Sequence, residues 1–126
     1  MTRYFDLKAL GYGVATFLLG VLALMIAGTV AANSAPSVAR VALGGMQAGV
    51  GLIPAFAGYV SARRASSRPI LHGTIAGALG TAVYLCVTVY LFPYPTQHIP
   101  MLVAVYALIA ALGAIFGKHR RDKSGR

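Results

Sequence analysis

A chain of 126 residues in which 58% of the side chains are hydrophobic and 10% charged is too poor in ionised groups to cover a water-facing surface, which takes roughly a quarter of charged residues. Its length allows one domain, its mean hydropathy of +0.74 points to lipid as the solvent, and its net charge of +9 falls between and beyond apolar runs, where membrane orientation accounts for it before nucleic acid does. Asp6 and Asp122 are its only acidic side chains. Carboxylate dyads, carboxylate-oriented triads and hard-cation sites are thereby excluded, and the single Cys86 allows no internal disulfide or Cys/His metal framework.

The first eight residues are interfacial, with Arg3, Asp6 and Lys8 beside Tyr4 and Phe5. An uncharged run over 9–32 then exceeds the ~20 helical residues that cross a bilayer. Val30-Ala31-Ala32 before Asn33 has the small residues of a signal-peptide cleavage site. The run is longer than the roughly 7–15 apolar residues of a signal core, however, so a spanning helix is expected. Asn33 to Ser37 forms a turn. The second span is 41–60, with Arg40 at its outer edge and Pro54 predicting a kink near Val50 and Gly51.

A basic loop carrying Arg63, Arg64 and Arg68 follows, and it divides the chain into two pairs of apolar segments. Pro69 opens the third span, 70–92. Residues 93–98 make an uncharged turn, and Pro100 suits the first turn of the fourth span, 101–116. The basic tail, 117–126, is expected to lose order beyond Arg121. Ten of the eleven Lys and Arg residues fall on one side of this arrangement and only Arg40 on the other. The expected fold is an all-α, integral-membrane four-helix bundle of two hairpins in the cell (inner) membrane, with both termini and the basic loop cytoplasmic.

Small residues recur along every span, at Gly13, Thr16, Gly20, Ala23 and Ala27, at Gly44, Ala48, Gly51, Ala55, Gly58 and Ala62, at Gly73, Gly77 and Gly80, and at Ala104, Ala107, Ala111 and Ala114. Such stripes let helix backbones approach closely in lipid. Gly45 with Gly49, Gly73 with Gly77, and Gly113 with Gly117 add Gly-x-x-x-Gly pairs. The packing candidates are Gly20, Gly45, Gly49, Gly51, Gly58, Gly73, Gly77, Gly80, Gly113 and Gly117. Of these, Gly45/Gly49 and Gly113/Gly117 are expected to face another subunit.

The polar residues within the spans are Thr16, Gln47, Thr74, Thr81, Tyr84, Thr88 and Tyr106. Gln47, Tyr84 and Tyr106 share a depth of roughly 8–12 Å from the outer boundary by helical rise. They form either a structural polar clasp or the lining of a small-solute or ion path. His72, at the edge of the third span, is interfacial or a proton sensor. Arg63, Arg64, Arg68, Lys118, Arg120 and Arg121 set orientation, and can also hold anionic lipid or a partner.

Gly58, Ala62, Arg63 and Arg64, followed by Leu71-His72-Gly73, Gly77 and Tyr84, resemble a helical hairpin of the small bacterial four-helix membrane proteins of the Bacillus YrzE type. The likeness covers about a quarter of the chain, with Ser61 and Pro69 departing from the Gly and Gly-Trp of that pattern. It implies a four-helix bundle and brings no activity with it. A faint repeat also relates Gly51–Arg64 to Ala107–Arg121. Proton-coupled small multidrug transporters share the length and span count but depend on a membrane-embedded Glu, which this chain lacks. The expectation is a non-enzymatic, cofactor-free protein acting through helix association, as a homo-oligomer or a small accessory subunit. The alternative is a small channel or transporter.

Overall fold

Asp6 starts the first helix. Its carboxylate Oδ1 accepts the Ala9 N–H at 3.1 Å, satisfying one of the donors that a helix start leaves open. From there α1 runs over Leu7–Ala32. It ends where the Asn33 and Ser34 amides donate back to Val30 and Ala31 and their side chains to the Thr29 and Val30 carbonyls. The computed structural model describes residues 5–91 and 96–125.

Pro36, whose missing N–H costs nothing at a first helical position, opens α2, Pro36–Arg64. The helix continues unbroken through Pro54. At Ala65 the backbone turns extended while its N–H still donates to the Ser61 carbonyl. Arg68, with φ 43°, is the one non-glycine in the left-handed region among the described residues, a conformation that costs about 1–2 kcal/mol. It precedes α3, Pro69–Leu91. A short 3-10 turn, Thr96–His98, leads into α4, Ile99–Ser124.

All four helices are long and apolar enough to cross a membrane. α2 and α3 pack on each other and on both remaining helices, so α1 and α4 lie on opposite sides of the central pair. The outer surface is apolar: Leu52, Phe56, Leu108 and Phe116 are each 60% exposed or more, an arrangement that a water-soluble monomer does not tolerate over so wide an area.

Three boundaries differ from the sequence reading, and one of them moves two loop residues into helix: α2 ends at Arg64 rather than 60, so Arg63 and Arg64 form its last turn and only Arg68 stays in the loop. α2 begins at Pro36 rather than 41, because a proline already poised for helix needs no apolar neighbour to start one. α4 runs on to Ser124 rather than stopping at 116. Lys and Arg are good helix formers, and Arg121 is tied down, its Nη1 donating to the Ala65 carbonyl, so helix continues through Ser124, three residues past the point where order was expected to be lost. Phe92, which closes the expected third span, and the first half of the turn after it lie outside the described residues.

Candidate functional site

The half of the bundle nearest the basic residues is closed by alanine and glycine. Ala57, Ala62, Ala76, Ala110 and Ala114 have no exposed surface. Gly113 lies against the Ala55 carbonyl and Gly58 against the Ala110 carbonyl, a reciprocal α2–α4 contact in which any Cβ would overlap backbone. Gly73 meets Ala114 and the Gly58 carbonyl, Gly77 meets Ala110, and Gly117 meets Ala62 and the Tyr59 carbonyl. Gly13 fits between Ser61 and Ala76, and Gly80 takes the ring of Phe17. The Gly113/Gly117 pair therefore packs inside the chain and does not face another subunit. The α4 stripe is also displaced, running through Ala110, Gly113, Ala114 and Gly117 while Ala104 is exposed.

The other half is different. Gly44, Gly45 and Gly51 have open space where a side chain would be, and Gly49 touches only the flexible end of Leu24. Gly20 meets only the Ile53 side chain. Gln47 and Ala48 are exposed. Rotation of α2 does not account for this. Gly51 and Gly58 are seven residues apart and Gln47 and Gly58 eleven, so both lie within about 20° of Gly58 and the three share one face. That face is packed from Ala55 onward and bare before Gly51. The change falls in the turn that Pro54 interrupts, where the Val50 carbonyl loses its helical donor.

Within the splayed half, the helices frame an open-sided cavity of about 260 Å³. Phe17, Val21, Leu24 and Met25 of α1, Met46, Val50 and Ile53 of α2, Tyr84, Leu85 and Thr88 of α3, and Leu102 and Tyr106 of α4 line it. Two of the three residues expected at one polar level, Tyr84 and Tyr106, thus meet at one cavity. Gln47 is not among the lining residues and points away from it. Beneath the cavity Phe17, 3% exposed, sits on Gly80 above the alanine and glycine core.

The span threonines spend their one donor within their own helices. Thr16, Thr74, Thr81 and Thr88 donate to the Tyr12, Ile70, Gly77 and Tyr84 carbonyls, each four residues back in its own helix. Side-chain hydrogen bonds between elements concentrate instead at the basic end. The Asp6 amide donates to His72 Nε2 at 2.8 Å, and Asp6 Oδ2 accepts the Ser66 N–H at 3.3 Å. His72 is fully buried, its Nδ1 lies 3.0 Å from the Arg68 carbonyl, and the ring of Phe5 stands 5.1 Å away. The Ala9 N–H, and after it that of Ser66, hold the Asp6 carboxyl below the ordinary aspartate range. A lowered carboxylate stabilises the fold above its unfolded pKa and loses that effect as pH falls through the folded value.

Around this end the basic residues find few anions. The Arg64 guanidinium lies 4.0 Å over the Tyr12 ring and Arg63 5.9 Å from that of Tyr59, both cation–π geometries. Arg121 reaches its neighbour Asp122 at 3.7 Å as well as Ala65. Lys118 and Arg120 are exposed, as is the Arg68 residue. Among the described residues no three His, Cys, Asp or Glu side chains are grouped to hold a metal ion.

Sequence reasoning missed the Asp6–His72–Ser66 junction. An aspartate directly before an apolar helical run is a recognisable cap signal, but nothing in the sequence couples positions 66 residues apart. Comparison with family models, curated proteins and solved structures finds no match to this chain.

Proposed function

We propose that the chain is a multi-pass protein of the cell membrane that works by helix–helix association and performs no chemistry of its own, with a second copy docking on the Gly44–Gly51 face of α2. The observation that carries this reading is Gln47. Its amide is exposed and unpartnered among the described residues, on a face whose glycines admit a close neighbour. In hydrocarbon an unpaired amide is costly. Glutamine carries both donors and an acceptor, so a two-fold mate presents the matching group.

An accessory role beside an unlike membrane protein would use the same face. In either case the basic end, with Arg63, Arg64, Arg68, Lys118, Arg120 and Arg121, faces the cytoplasm together with both termini. There it meets anionic headgroups, each near-surface cation contributing about 1 kcal/mol. A transport role ranks second. Tyr84 and Tyr106 at one cavity favour it, whereas the position of Gln47 and the closed core below do not.

The test is cross-linking in liposomes with Cys86→Ala as background. Gln47→Cys should form a disulfide-linked dimer. Leu52→Cys, exposed and about 140° round the helix from position 47, should not. Gln47→Leu should weaken self-association roughly three- to twentyfold, the range for an interhelical polar contact. Equal cross-linking at both positions, or at neither, removes the self-association reading. A solute flux abolished by Tyr84→Phe or Tyr106→Phe, at two residues that line the cavity, would put transport first.

A further inference from the structure

We propose that His72 is a proton-operated latch, closed when its ring is neutral, that ties the start of α1 to the loop between α2 and α3. The argument is one of donors and acceptors and is independent of how copies of the chain associate. A backbone N–H can only donate, so the 2.8 Å contact from the Asp6 amide requires a bare, accepting Nε2. The 3.0 Å contact to the Arg68 carbonyl, which can only accept, requires a proton on Nδ1. The two partners together specify a single neutral tautomer.

A second proton on the ring places an N–H head-on against the Asp6 N–H. The ring has no exposed surface through which water could screen the new charge, and burying an uncompensated charge is costly. The charged groups at this end are Asp6 and Lys8 on the first turn of α1, Arg63 and Arg64 closing α2, Arg68 in the loop, and, on the last turns of α4, Lys118, Arg120, Lys123 and Arg121, which is bound to Ala65 and beside Asp122. The imidazolium thus joins an end already rich in positive charge. The nearest carboxylate, Asp6, already accepts from Ala9 and Ser66.

Relief comes from moving the Phe5–Asp6 segment, either outward or by turning the Asp6 carboxylate from its cap onto the ring. Both routes break the hydrogen bond from the Asp6 N–H to His72, strip α1 of its N-terminal cap and release the Ser66 amide. One proton therefore loosens the first turn of α1 and the α2–α3 loop together. The sign follows: the latch contributes order at high pH and loses it as His72 charges. Asp6 cannot produce the same transition in the same range, since its carboxyl titrates below the ordinary aspartate value.

Hydrogen exchange of the full chain in lipid nanodiscs, followed over Asp6–Leu10 and Ala65–Arg68 between about pH 8 and pH 5, tests the latch after correction for intrinsic exchange. Protection at both segments should fall together by roughly tenfold or more in the wild type. It should stay flat in His72→Gln, which keeps an acceptor and a donor of similar reach but does not titrate. Asp6→Asn, which keeps the backbone amide and a capping side chain, should retain the transition. Nitrogen NMR of the wild-type ring gives an answer that does not depend on variant folding. The Nδ1–H tautomer should be present at pH 8, with the Asp6 amide shift titrating in step with the ring. Unchanged protection in the wild type, a transition that persists in His72→Gln or vanishes in Asp6→Asn, or an Nε2–H tautomer at pH 8 would overturn the proposal.

Discussion

The two halves of α2 carry almost the same residues and behave oppositely. Ala55, Gly58 and Ala62 are pressed into α4, with Gly58 against a carbonyl of its neighbour. Gly44, Ala48 and Gly51, on the same face, touch little or nothing. Small side chains thus permit close approach without causing it. What distinguishes the packed half is a matching surface on another helix: Ala110, Gly113 and Gly117 stand opposite, whereas the corresponding stretch of α4 begins with larger residues such as Leu102 and Tyr106, which prop the helices apart around the cavity. A glycine stripe therefore marks a possible contact, and its partner must be found separately.

That contrast can be broken most sharply with paired leucines. Gly113→Leu drives a side chain into the Ala55 backbone and should destabilise the bundle by about 3 kcal/mol or more, at or above the upper end for overpacking. Gly51→Leu, entering open space, should change the stability of the isolated chain by less than about 0.5 kcal/mol. Reversible unfolding in mixed micelles measures both, and similar losses at the two sites would contradict the division into packed and splayed halves. A smaller effect tests the boundary between them. Phe17→Ala removes the ring that seats on Gly80 and should cost about 2–4 kcal/mol, less if lipid tails enter the enlarged cavity. The smallest expected change sharpens the polar side of the comparison. Thr88→Val should shift stability by no more than about 0.5 kcal/mol, because its hydroxyl serves only the Tyr84 carbonyl of its own helix.

Length and apolarity made the four helices legible, and the stripe positions Gly58, Gly73, Gly77 and Gly80 were legible as packing sites. The end of α1 at Ala32 and the start of α3 at Pro69 fall where the sequence marks them. The start of α2 and the end of α4 were not legible, because the sequence signal marks where apolarity stops, while Pro36 and the run to Ser124 show that helix does not stop with it. Gln47 was expected beside Tyr84 and Tyr106, yet it is exposed and does not line their cavity. Rise per residue fixes its position along the helix, whereas facing depends on how the helices diverge beyond Pro54, a tertiary outcome. His72 was expected to be interfacial or a proton sensor; its burial by Phe5 and Asp6 depends on a contact between distant parts of the chain that no local pattern encodes.

The threonines that bond back along their own helices have one more consequence. Each of these threonines spends its one donor inside its own helix. No rod is tied to another through them, so the register is left to the interlocked glycines such as Gly58 and Gly113 and to the long-range bonds made by Asp6 and Arg121.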